Sequence, residues 1–137
     1  MYEPSPRTAH QARRDVAAAL AAWGVGQAAI CDATQVVAEL TGNAVRHGRV
    51  PGRRFLVRIT RGAGRLQVEV DDAASTPPTV MRAPDEAEGG RGLRIVDALA
   101  DAWGVAPRAS GIGKTVWAIV RYGPVPDGRG SEAAVAP

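Results

Sequence analysis

Glu39-Leu40-Thr41-Gly42-Asn43-Ala44-Val45-Arg46-His47-Gly48 carries the strongest structural signal in this 137-residue chain. Residues four apart stand one above another on a helix, so Glu39, Asn43 and His47 share a face. Ala33, Val36, Val37, Leu40 and Ala44 recur at helical spacing and give an apolar stripe beside that polar seam. The spacing predicts a helix that begins near residues 28–32, ends around His47-Gly48, and is stopped by Val50-Pro51-Gly52. A carboxylate and a carboxamide one turn apart can divide labour. The amide oxygen can ligate a hard cation such as Mg²⁺ while the carboxylate orients or deprotonates a hydroxyl or water. Gly42, which costs ~1 kcal/mol inside a helix, leaves room for a ligand or for close packing. The same spacing also suits a solvated helix face closed by a histidine.

On the N-terminal side, Ser5-Pro6 reads as an N-cap followed by proline at the first helical position. Ala12, Val16, Ala19, Leu20 and Trp23 then keep helical spacing until Gly24 and Gly26. Downstream, Phe55, Val57 and Ile59 alternate with Leu56, Arg58 and Thr60, and after Gly62-Ala63-Gly64 Leu66, Val68 and Val70 alternate with Gln67 and Glu69, which predicts an antiparallel hairpin. Residues 73–92 lose all periodicity and gather prolines and glycines, a length of loop that compact domains usually reserve for function. Leu93, Val96, Leu99 and Ala100 restore the helical period, Trp103 to Val105 suits a short strand, and Thr115 to Arg121 alternates as a strand. The expected fold class is α+β, a two-layer α/β sandwich with a mixed, mostly antiparallel sheet and helices on one face. Residues 1–122 form the expected single domain, and the Gly/Pro-rich 123–137 an expected disordered tail.

Composition narrows the function classes. Hydrophobic residues make up 45% and charged residues 23%, which are globular proportions, and no apolar run is long enough to span a bilayer. Seventeen Lys and Arg against fourteen Asp and Glu give a net charge of +3. The basic residues are scattered, however, and three Trp, two Tyr and one Phe leave few stacking platforms, so direct nucleic-acid binding is not expected. Met1-Tyr2-Glu3-Pro4 has no basic-then-apolar pattern, and the lone Cys31 cannot close an internal disulfide; a cytoplasmic location is the resulting expectation, with no membrane attachment. Cys31 reads as a small buried hydrophobe, and Trp23, Trp103 and Trp117 as core or sheet-face residues.

Strand alternation carries Asp72, not Asp71, to the same side as Leu66, Val68 and Val70. A buried carboxylate needs a partner. It can accept from an exocyclic amine, as in the selection of adenine, or cap the turn that leads to Pro77. Two glycine clusters mislead. Gly111-Ile112-Gly113-Lys114-Thr115 ends like a phosphate loop but has Arg108 where that pattern needs glycine, and a strand comes after it instead of a helix. Gly90-Arg91-Gly92-Leu93-Arg94-Ile95 lacks the third glycine of a dinucleotide fingerprint, yet glycines opening the helix that starts near Leu93 would let backbone amides approach a phosphate.

In their order these pieces resemble the GHKL ATPases, the superfamily of histidine kinases, gyrase, the ninety-kilodalton heat-shock chaperones and mismatch-repair ATPases. Glu39 to Gly48 looks like the N box, Val70-Asp71-Asp72 like the start of the first glycine box, Gly89 to Asp97 like the second, and Gly113-Lys114-Thr115-Val116-Trp117 like the last, over about residues 8–121. The short chain is most similar to the anti-sigma-factor serine/threonine kinases and the small stand-alone ATP-binding regulators related to them. The resemblance implies ATP and Mg²⁺ as cofactors. It implies that Asn43 binds the metal between the phosphates, Asp72 binds the adenine amine, and Thr115 supports the adenine end through its hydroxyl and a water. Gly90, Arg91 and Gly92 would wrap the phosphates in a lid, with the helix dipole from Leu93 behind them; His47 and Ala74 belong to the same nucleotide-binding set. Glu39 would be the catalytic base toward a serine or threonine hydroxyl. The implied partners are a sigma factor and/or an anti-anti-sigma antagonist protein, and a homodimer is left open. An alternative is an interaction module that binds nucleotide, regulates by binding alone, and transfers little or no phosphate. The chain departs from the pattern where Asp72-Ala73-Ala74-Ser75-Thr76 lacks both glycines of the first box, which predicts a less open approach to adenine and weaker binding.

Overall fold

A computed structural model describes residues 2, 4–46, 54–73, 88–108, 113–122 and 131–135. Helix α1 (Pro6–Ala22) opens on a capping box, in which Ser5 accepts from the Thr8 amide and Thr8 reaches back to the Ser5 amide, with Pro6 preset for the first turn. It closes on Gly24 at φ 76, whose amide meets Ala21 O while Val25 N meets Leu20 O, the 5→2 and 6→1 pair that a left-handed glycine permits. Helix α2 (Gln27–Arg46) comes directly after it. Strands β1 (Leu56–Gly62) and β2 (Arg65–Asp72) make the expected hairpin, turning at Ala63-Gly64 with Gly64 at φ 70. Helix α3 (Glu88–Leu99), β3 (Ala102–Pro107) and β4 (Lys114–Arg121) complete the predicted elements.

The sheet runs β3-β4-β2-β1-β5, and the mostly antiparallel sheet expected from the sequence is antiparallel at every pairing among the described strands. Alternation sends Val57, Ile59, Leu66, Val68, Val70, Val116, Ala118 and Val120 to one face. There they meet Val16 and Leu20 of α1, Val36, Val37 and Leu40 of α2, and Leu93 and Val96 of α3, so all three helices cover the same side.

Three expectations need correction. Ser131–Val135, expected within a disordered tail, is an edge strand, β5, antiparallel to β1; residues 123–130 lie outside the described residues. Helix α3 begins at Glu88, five residues before the expected Leu93, so the backbones of Gly90, Arg91 and Gly92 are helical. Cys31 is exposed, because it lies off the apolar stripe of α2. Trp23 and Trp103 pack at the margin of the core as expected, and Trp117 lies on the opposite sheet face against Gly104.

Candidate functional site

Connectivity gathers the candidate residues at one end of the sheet. The end of β2 and the start of β4 are paired there, Asp71 with Thr115 and Asp72 with Lys114, and the end of β3 joins them through Pro107 and Lys114. Strand β1 starts at the same end, where Leu56 pairs with Asp71. Helix α3 runs from this end toward the far one, since its last residue lies just before β3, whose first residue pairs with Ile119. The end of β2, the start of β4 and the start of α3 therefore lie toward one end of the sheet, and α2 packs on both α3 and β2.

The adjoining ends of β2 and β4 carry a charged pair. Lys114 Nζ donates to Asp72 Oδ1 at 2.9 Å, and the two side chains are 6% and 5% exposed. Asp72 lies on the core side, where its phase with Val70 puts it. Lys114 has the same phase as Val116. Gly113, at φ +81, makes the close approach feasible, because a side chain there would run into the Asp72 carbonyl.

Asp71 is buried as well, on the other face. Thr115 Oγ1 donates to Asp71 Oδ1 at 2.5 Å, and the Arg58 and Arg108 guanidinium groups lie 4.0 Å from Asp71 Oδ2. Thr115 is thus not brought together with Asp72: neighbouring positions on a strand point to opposite faces, and the residue beside Asp72 is Lys114. The expectation for Thr115 is corrected to that extent.

On α2, Asn43 is buried at 8% exposure. Its Oδ1 accepts from Arg46 Nη2 at 3.3 Å, one turn on, while its Nδ2 is buried with no partner among the described residues. A buried amide N–H left unpaired costs about 1–3 kcal/mol, so a group that satisfies it binds at an advantage. Glu39, one turn earlier, is half-buried and has no hydrogen-bond or ion-pair partner among the described residues. His47 and Ala74, expected in the same set, lie outside the described residues, as does the stretch 74–87 of the long loop. Leu93 is fully buried and packs α3 into the core. The first amides of α3 belong to Glu88, Gly89 and Gly90, and these, ahead of Gly92 and Leu93, are the ones a helix leaves without internal acceptors.

A family model described as the histidine kinase-like ATPase domain matches residues 2–120. The chain belongs to the histidine kinase-like ATPase domain family. No curated protein matches it significantly. For a histidine kinase-like ATPase domain the α+β architecture, with three helices over one face of an antiparallel sheet, is the fitting fold, and ATP is the ligand that membership implies. Among the described residues no helix is long and apolar enough to cross a membrane.

Two members of this site escape sequence reasoning. Lys114 falls inside a phosphate-loop decoy, although its phase with Val116, Ala118 and Val120 places it inward. Arg46 reads as an ordinary helix-end charge, although its position three residues after Asn43 lets it reach that amide.

Proposed function

We propose that this domain is an ATP- and Mg²⁺-dependent regulator of the anti-sigma-factor serine/threonine kinase type, phosphorylating a partner antagonist protein and/or sequestering a sigma factor. The observation that carries the reading is Glu39 one turn from Asn43: among the described residues the carboxylate has no partner and the buried amide's Nδ2 has no acceptor. Asn43 Oδ1 is a hard oxygen suited to Mg²⁺, which when bound would neutralise charge on the phosphates. Arg46 must leave that oxygen first. Glu39 takes the proton of the partner's hydroxyl as its oxygen attacks the γ-phosphorus; the bond from that phosphorus to the β–γ bridging oxygen breaks, and ADP departs with the electron pair. Asp72 accepts from the adenine amine, and the first amides of α3 face the phosphates.

A second reading, a module that binds nucleotide and partner with little or no phosphotransfer, draws on Arg46 at Asn43 and Lys114 at Asp72, where both expected acceptors already hold a cationic donor. Incubation with γ-labelled ATP and a candidate antagonist separates the two. Label on a partner serine or threonine, lost in Glu39→Ala, supports the kinase. Undiminished transfer in that variant removes Glu39 as base, and ATP binding without transfer favours the module. Saturating Mg·ATP, at about a hundredfold its Kd, should raise Tm by roughly 5–11 °C in the wild type and by much less in Asn43→Ala or Asp72→Asn.

A further inference from the structure

Helices α1 and α2 run antiparallel, and between their exposed sides they leave a groove. Cavities of about 290 and 400 Å³ share His10 and Arg13 and so continue into one another along it. Ala9, Ala38, Gly42 and Val45 give the first an apolar floor, which Ala17 and Ile30 extend into the second. Gly42 leaves the Arg46 guanidinium room at the groove, since a Cβ there would stand 3.1 Å from Arg46 Nη1. The walls are basic: His10, Arg13 and Arg14 come from α1, and Arg46 from the last turn of α2. Among the described residues no aspartate or glutamate lines either cavity, and Asp15, the acidic residue of α1, is held by Tyr2 and Gln11 instead. His10 and Arg13 have no hydrogen-bond or ion-pair partner among the described residues. Like charges three or four apart on a helix repel, and an anionic occupant would relieve that repulsion.

We propose that this groove is a docking surface for an acidic amphipathic helix of a partner protein, with apolar side chains on the floor and carboxylates against Arg13, Arg14 and Arg46. Between Pro6 and Ala17 the groove follows α1 for roughly 17 Å, the length of a helix of about twelve residues. Charge selects the occupant, because basic walls without a carboxylate between them attract glutamates and aspartates and repel a basic segment. The floor argues against nucleic acid. Phosphates would find the arginines, but no aromatic ring among the described residues lines the groove for a base to stack on, and an apolar floor offers a sugar–phosphate backbone nothing. Docking here needs no bound nucleotide.

The test is a nucleotide-free titration of the full chain into a fluorescent peptide of about twelve residues, leucines along one helical face and glutamates on either side of them. The same peptide with glutamine for every glutamate is the comparison. The wild type is expected to bind the glutamate peptide about 10-fold more tightly, and Arg13→Glu, a change at an exposed residue, to lose most of that preference. Arg65→Glu makes the same change of charge at the exposed start of β2 and is expected to bind as the wild type does. Cys31, the single cysteine, is exposed and lines the second cavity, so it reports where the peptide lies. Glutamate peptide at about ten times its Kd should slow alkylation of Cys31 by iodoacetamide about 10-fold. Equal affinity for the two peptides, equal weakening by Arg65→Glu, or alkylation that ignores bound peptide overturns the inference. So does single-stranded DNA that displaces the peptide and protects Cys31 at lower concentration. With no nucleotide present, each of these failures leaves the ATP-dependent reading in place.

Discussion

Gly113 rests against the backbone carbonyl of Asp72, and a Cβ added at 113 would stand 2.0 Å from that oxygen. The atom in the way is main chain, and φ is +81, so neither a rotamer change nor a relaxed backbone relieves the overlap. Gly113→Ala is expected to cost more than ~3 kcal/mol and to lower Tm by roughly 6–12 °C. Thermal denaturation checks this; an unchanged Tm would mean that β4 can shift away from β2 freely.

Arg46 sits on the oxygen that the metal would use. Its side chain is exposed, so the contact is weak, and Arg46→Ala is expected to tighten Mg·ATP about 2- to 5-fold, with little change for ATP in chelator. Calorimetric titration with and without Mg²⁺ reads the difference. Weaker binding in both conditions would make Arg46 a phosphate ligand instead.

Breaking the Asp72–Lys114 pair from one side leaves a charge in a buried place. Lys114→Met should therefore destabilise by about 3–5 kcal/mol, and the double variant Asp72→Asn/Lys114→Met by less than half as much. Urea unfolding of the three proteins supplies the comparison. A double variant no better than the single would show that the loss is one of packing.

Much of the fold is legible in the chain. Ser5-Pro6 and Gly24 bracket α1 because caps act through residue chemistry, and the alternation of Leu66, Val68 and Val70 places Asp72 correctly because the strand period leaves no freedom. The start of α3 is hidden because three glycines within 88–92 have poor helix propensity, which tertiary contacts through Leu93 and Val96 outweigh. Lys114 escapes notice because a lysine beside a glycine reads as surface charge until the strand pairing shows Asp72 opposite it. β5 is invisible in the sequence, since Ser131-Glu132-Ala133-Ala134-Val135 carries little alternation and its partner is 70 or more residues earlier.

Tyr2 supplies a pH test. Its ring stacks on Phe55, its hydroxyl donates to Asp15 Oδ2 at 2.7 Å, and burial first, then that bond and the Asp15 charge, push its ionisation well above the usual 10.0. The neutral phenol is favoured by folding. Its contribution is therefore complete below the unfolded value and falls as pH rises above about 10. Tyr2→Phe should be ~1 kcal/mol less stable near neutrality and show a flatter loss of stability above pH 10. Parallel curves for the two proteins would mean that Tyr2 ionises as readily folded as unfolded.

Both described extremities of the chain are fastened to one segment. Tyr2 exchanges two main-chain hydrogen bonds with Phe55, just before β1, and β5 lies along β1 itself. A force applied to the two ends would thus load β1 directly, and the helix that carries Glu39 and Asn43 would feel it last. For the bench this means that a C-terminal fusion hangs from a sheet edge. Trimming the chain before Ser131 would bare the backbone of β1 to neighbouring molecules, so the shortened protein should be handled as one prone to self-association.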